Sequence, residues 1–172
     1  MLDLGMLAQQ PDIDTLVVAI GGGGLISGVA AAARSIKPDI EVIGVQTERF
    51  PAVWNAIHGE QRESAQAMIA DGIAVKSPGA LTLPLIRERV NNVLLVSDGD
   101  IQQAILMLLE IEQTVVEGAG AVGLAALADA AALLGKLGAN IDEVQHQRCL
   151  YLAVGGARPN RGGGAHTRHG PN

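Results

Sequence analysis

Gly21, Gly22, Gly23, Gly24 and Leu25 stand between an apolar, β-branched run and an Ala-rich segment. Glycine lacks Cβ and takes positive φ without steric cost, so successive backbone N–H groups can converge on one point. Where a helix begins at such a loop, its first donors have no intrahelical acceptor and share the positive end of the helix dipole. That combination binds an anion, phosphate above all, without lysine or arginine. A tight turn or close packing would account for one or two glycines but not for four.

The spacing narrows the anion. A dinucleotide fingerprint G-x-G-x-x-G begun at Gly22 needs glycine where Ser27 stands, and the next glycine is Gly28. Only the looser G-x-G-x-x-x-G fits. Dinucleotide sites also use an acid at the end of the second strand to hold a ribose, and Gln46 occupies that place. No Gly-Lys-Ser/Thr follows, which excludes a P-loop. The pattern favours a monophosphate over a dinucleotide and does not name it.

The elements that must position this loop alternate between strand and helix. Thr15 to Ile20 is a continuous β-branched and apolar run, the mark of a strand buried on both faces. Ile26 to Ile36 follows as a helix stopped by Lys37-Pro38. Glu41 to Val45 is a second strand, and Pro51 to His58 a helix ended by Gly59. Glu60 to Ala80 has mixed polarity and reads as a loop with room for one short helix. Thr82 to Val90 is a helix with Pro84 in its first turn. Asn92 to Val96 is a third strand, and Ser97 with Asp100 forms a capping box for a helix from Asp98 to Ile111. Ala119 to Leu134 is an Ala-rich helix and Arg148 to Val154 a last strand. The sum is an α/β fold, an open parallel sheet covered by helices.

Composition excludes several function classes. Hydrophobic residues at 48% and charged residues at 17% in 172 residues suit one globular domain with a sizeable core. Aromatic content is 2%, confined to Phe50, Trp54 and Tyr151, so stacking platforms for single-stranded nucleic acid are missing. A net charge of −6 leaves no basic footprint for nucleic acid, so a bound anion must be held by local backbone geometry. Cys149 is alone, which excludes an internal disulfide and a cysteine-based zinc cluster. Apolar stretches fall well short of the about 18 residues of a membrane span, and no secretory signal opens the chain. A cytoplasmic location is expected. Met1 to Gln10 has helical periodicity but no cap, as though continued from a longer chain. The stretch after Val154 is rich in Gly, Arg, Pro and His without hydrophobic period and reads as a disordered tail, residues 157–172, beyond a domain of residues 1–156.

Four segments in order resemble one family: Gly21-Gly22-Gly23-Gly24-Leu25-Ile26-Ser27-Gly28, Ile43-Gly44-Val45-Gln46, Ala70-Asp71-Gly72-Ile73-Ala74-Val75-Lys76-Ser77-Pro78-Gly79, and Val116-Glu117-Gly118-Ala119-Gly120-Ala121. They are similar to the threonine and serine dehydratases, pyridoxal-phosphate enzymes of the tryptophan-synthase-β-like fold, over about residues 1–135. The resemblance implies that the N–H groups of Gly21, Gly22, Gly23, Gly24 and Leu25 hold the cofactor phosphate. It places Gly72 near the cofactor ring, against the alternative of an ordinary turn glycine. Glu117 is either a carboxylate on the cofactor side or a charge favourable to a helix N-terminus. The implied reaction removes water from L-threonine or L-serine by β-elimination and yields a 2-oxoacid and ammonia. The family's full-length form implies a homo-oligomer.

The same resemblance shows what this chain lacks. The family's cofactor-linking lysine lies in a Ser-x-Lys-x-Arg-Gly motif upstream of the glycine loop; here only Lys37, Lys76 and Lys136 occur, none in that motif. All three are expected to be solvated, so no catalytic residue is assigned. Some members bind a divalent cation through a carboxylate ending the second strand and an acid a few residues later. Gln46 and Ala52 take those places, and a neutral amide is a poor ligand for a hard cation, so no metal is expected. The family's closing Ser-Gly-Gly-Asn corresponds to Val154-Gly155-Gly156-Ala157, leaving the cofactor's ring nitrogen without its hydroxyl partner, a loss of about 1–3 kcal/mol if buried. A change of reading frame near Tyr151 to Val154 would account for this departure, and the codons there test it. Two functional classes follow: a fragment of a dehydratase large domain, inactive alone, or a non-catalytic Rossmann-like module for a nucleotide or other anion.

Overall fold

The computed structural model describes residues 7–136 and 149–152, with side chains placed from 7 to 129. Leu7 to Gln9 is helical; the rest of the expected N-terminal helix, residues 148 and 153–154 of the last strand and the expected tail lie outside the described residues.

β1 (Thr15–Ala19) is buried at every position, as its unbroken apolar run demands. α1 (Gly24–Ile36) starts inside the glycine run, two residues ahead of the expected Ile26, because glycine permits the helical turn as readily as the loop. It stops before Pro38, with the Lys37 N–H returning to the Ala33 carbonyl. β2 (Glu41–Thr47) continues two residues past Val45, and α2 (Ala52–His58) ends at Gly59 with φ 71°. The loop stretch holds one 3-10 turn, Asp71–Ile73. α3 (Thr82–Arg89), β3 (Asn92–Val96), α4 (Asp98–Glu110), α5 (Gly118–Lys136) and β4 (Cys149–Leu152) complete the order. Ser97 and Asp100 form the full reciprocal capping box: Ser97 Oγ accepts the Asp100 N–H, and the Asp100 carboxylate accepts the Ser97 N–H. The shorter Asp side chain therefore reaches far enough.

All strand pairs are parallel, in the order β3-β2-β1-β4. The chain thus builds outward from β1 to β3, then crosses back through α4 and α5 to reach β1's other side. Side chains of β1 alternate accordingly. Leu16, Val18 and Ile20 pack with Ile26, Val29 and Ala33 of α1, whereas Val17 and Ala19 pack with Ile101, Ala121 and Val122 of α4 and α5. Reversal of direction beside β1 leaves a crevice at its carboxyl end, between crossovers on opposite faces, which is where open α/β sheets bind ligands.

Gly44 in β2 sets how closely α1 approaches the sheet. A Cβ there would lie 2.3 Å from Ile20 Cδ1 and 3.0 Å from Ile26 Cδ1. Gly44→Ala is expected to destabilise the fold by about 1–3 kcal/mol in urea denaturation through overpacking. An unchanged midpoint would mean that α1 is not seated by this contact.

Candidate functional site

The glycine run occupies the crevice at the end of β1. The ladder persists to Ile20, whose N–H donates to the Val45 carbonyl at 2.8 Å. From there to Leu25, no backbone N–H donates to a carbonyl among the described residues, and α1 has no side-chain cap at Gly23. Five consecutive donors, Gly21 to Leu25, are therefore left for a ligand, at the positive end of a 13-residue helix.

The back of the loop is fully engaged. The Gly22 carbonyl accepts from Thr82 Oγ1 at 2.7 Å and from the Gly79 N–H at 3.1 Å. The Gly23 carbonyl accepts from Ser27 Oγ at 2.7 Å and from the Ser27 N–H at 3.1 Å. Gly23 has φ 92°, and a Cβ on it would lie 2.7 Å from Ile86 Cδ1 and 2.8 Å from Thr82 Oγ1. Gly24 differs: nothing lies within 4 Å of its added Cβ. One glycine is thus required by φ and by α3 behind it, while the other keeps the ligand side open. No sequence signal marks Thr82, Ser27, Gly79 and Ile86 as the support of this loop; the Thr82-x-Pro84 helix start does not announce that it will meet a loop sixty residues earlier.

Gly72 comes to the same place. Ala19, Gly21 to Leu25, Gly72 and Ile73 line a cleft of about 240 Å³. The Gly72 N–H donates to Glu117 Oε1 at 3.1 Å, and a Cβ on Gly72 would stand 3.0 Å from both carboxylate oxygens. A side chain at Gly72 would require the Glu117 carboxylate to shift by a few tenths of an ångström. Glu117 is part-buried and bridges the 3-10 turn to the start of α5, where Gly118 packs so tightly that its Cβ would meet the Ile69 carbonyl at 2.5 Å. Glu117 stands immediately before α5, and its carboxylate tethers Gly72 in the wall of the cleft. The lining residues are uncharged, with the Glu117 carboxylate set against Gly72, and among them no side chain offers a nucleophile or general base. A larger hollow of about 380 Å³ lies between α4 and α5, but Asp100 and Asp129 on its walls suit it poorly to an anion.

Other candidates are placed elsewhere. Gln46 is fully buried and its Oε1 accepts the N–H groups of Val53 and Trp54 at 3.1 and 3.0 Å. It caps α2, which commits the amide oxygen to a structural task. Among the described residues no group of three or more His, Cys, Asp or Glu is gathered for a metal. Lys37 is partly exposed, and its Nζ donates to the Ile13 carbonyl at 2.6 Å, because the chain entering β1 leaves that carbonyl beside the end of α1. This is the opposite end of β1 from the glycine loop. Lys76 is exposed. The Lys136 side chain and Val154 to Ala157 lie outside what is described.

The profile of the family described as pyridoxal-phosphate dependent enzyme matches residues 3–144. This chain belongs to that family. An L-threonine ammonia-lyase of Thermotoga maritima is 42% identical over 149 residues, 82% of this chain and 37% of that protein. The catabolic L-threonine dehydratase TdcB of Escherichia coli K12 is 39% identical over 157 residues, 90% of this chain and 45% of that protein. Among solved structures, a threonine deaminase from T.th. superposes with a TM-score of 0.75 at 29% identity, covering 91% of this chain and 56% of that one. Maize serine racemase gives 0.67 at 39% identity, covering 73% and 40%. The chain spans less than half the length of these two curated relatives. The fold is that of the tryptophan-synthase-β-like pyridoxal-phosphate enzymes, and the family's cofactor is pyridoxal phosphate. The glycine loop, with free donors, an open ligand side and uncharged walls, fits the cofactor's phosphate. No helix among the described residues is long and apolar enough to cross a membrane.

The two glycines give a paired test by denaturant unfolding. Gly23→Ala is expected to lose about 2–4 kcal/mol through its positive φ and the contact with Ile86. Gly24→Ala is expected to change stability by less than about 1 kcal/mol. Equal effects would mean that the loop does not take this conformation in solution.

Proposed function

We propose that this chain carries the phosphate-holding part of a threonine/serine dehydratase, residues 1–156 being the C-terminal part of its large domain. The backbone N–H groups of Gly21, Gly22, Gly23, Gly24 and Leu25 bind the cofactor phosphate. Gly72 gives the ring room beside the loop, and Glu117 keeps the turn bearing Gly72 in place. The observation that carries this assignment is the row of donors, unpaired among the described residues, in a cleft that Gly72 also lines, within a chain of the pyridoxal-phosphate family.

Pyridoxal phosphate, when bound, supplies the electron sink that makes the amino acid's Cα proton removable. The residues of this chain bind and orient it. The family's cofactor-linking lysine motif is absent from the 172 residues, so the chain alone does not turn over substrate. Joined to the complementary part, it contributes to β-elimination of water from L-threonine or L-serine, giving a 2-oxoacid and ammonia. A cytoplasmic homo-oligomer is the form proposed for the full-length enzyme. The alternative of a dinucleotide module is disfavoured by Gln46, whose carbonyl oxygen is committed to capping α2 and is not free for a ribose.

Titration with pyridoxal phosphate, followed by absorbance, is expected to give saturable binding, whereas NAD binds more weakly. Borohydride treatment and dialysis are expected to leave no single labelled lysine among Lys37, Lys76 and Lys136. Threonine turnover by the chain alone, or preference for NAD, would overturn the assignment.

A further inference from the structure

We infer that Thr82 is a positioning residue for the phosphate site, acting through the Gly22–Gly23 peptide; the inference rests on the phosphate assignment made above. The hydroxyl donates to the Gly22 carbonyl at 2.7 Å and lies 3.2 Å from the Gly79 carbonyl. The Gly79 N–H joins it on the Gly22 carbonyl at 3.1 Å. A trans peptide points its carbonyl and its N–H in opposite directions. Holding the Gly22 carbonyl on α3 therefore turns the Gly23 N–H away from α3, to the side left free for the ligand.

Without that hold the peptide has another choice. Glycine on both sides lets this peptide rotate with little steric penalty. A rotated peptide would present a carbonyl, not an N–H, to the phosphate. The first helical turn would then meet an anion with one repulsive dipole among its donors. Thr82 and the Gly79 N–H exclude this by giving the carbonyl two donors at the rear. Neighbouring contacts keep the clamp in register: Ser27 Oγ reaches the Thr82 carbonyl at 3.4 Å while donating to Gly23 at 2.7 Å. A Cβ on Gly79 would come within 2.7 Å of Thr82 Oγ1, so only glycine lets the two segments meet.

The full 172-residue chain tests this with pyridoxal phosphate as probe, comparing the parent, Thr82→Ser, Thr82→Val and the remote core variant Ile40→Val. Thr82→Val is expected to weaken binding about tenfold, the loss of one charge-assisted donor to the phosphate, and to shift the bound ³¹P resonance. Thr82→Ser, which keeps the hydroxyl, is expected to restore both. Ile40→Val is expected to lower the melting temperature without changing affinity or the ³¹P resonance. Equal affinity in the parent and Thr82→Val would overturn the role of Thr82 alone. Failure of the parent to bind pyridoxal phosphate would remove the site itself, and this inference with it. Should Thr82→Val not fold, the parent still decides: on adding inorganic phosphate, the Gly23 amide proton is expected to move downfield more than that of Gly28. An unmoved Gly23 proton would overturn the proposal.

Discussion

Backbone donors bind an anion only when they all point at it, and a run of glycines has no preference of its own for that arrangement. The conformation of Gly21 to Leu25 is imposed from behind. Carbonyls of Gly22 and Gly23 are taken by Thr82, Gly79 and Ser27, and the positive φ of Gly23 brings the chain flush against Ile86. The permissiveness of glycine is thereby removed where it would be harmful and kept where it is useful, on the open side at Gly24. Entropy lost in ordering this loop is offset by packing of α3 on α1, not by the ligand alone.

That arrangement depends on topology. The sheet order β3-β2-β1-β4 places β1 at the point where the chain reverses direction, with α1 on one face and α5 on the other. Loops leaving neighbouring strands then diverge, and the crevice between them is filled by backbone: the glycine run after β1 and the turn bearing Gly72. Gly44 lets α1 sit close enough to the sheet for its first turn to open into this crevice. The same geometry explains why Glu117 matters: it stands against Gly72, one of the residues lining the cleft. Two segments meet there, the 3-10 turn and the start of α5, and the carboxylate ties one to the other through the Gly72 N–H.

Local chemistry makes much of this visible in the residues themselves. Buried strands appear as unbroken apolar runs, helix ends as Pro38, Gly59 and the Ser97–Asp100 box, and the proposed anion loop as four glycines. Long-range pairing does not show. Thr82 looks like an ordinary first-turn residue until α3 is seen behind Gly22, since nothing in a linear pattern reports a partner sixty residues away. Gln46 reads as a substituted ribose or metal ligand and proves to be a helix cap, because the chain after β2 folds its next helix onto the amide. Glu117 admits two local explanations, and the backbone group its carboxylate accepts from, the Gly72 N–H, lies 45 residues away in the chain. Lys37 reads as a surface residue, and its bond to the Ile13 carbonyl is likewise invisible in the linear pattern. In each case the missing fact is which backbone group the fold leaves unpaired nearby.

Phosphate binding by a chain of net charge −6, as proposed, relies on fields that fall off quickly. The five donors of Gly21 to Leu25 and the dipole of α1 act over a few ångströms, inside the range where screening by salt is weak. The lining contributes no opposing charge, and the acidic residues Asp100 and Asp129 are gathered in a separate hollow between α4 and α5. Anchoring of this kind fixes position without taking part in proton transfer, since backbone N–H groups do not titrate in the physiological range. Binding and reaction are in this way separable tasks. On the proposed assignment the segment holds the phosphate with its own backbone, and the groups that move protons and link the cofactor come from elsewhere in the enzyme.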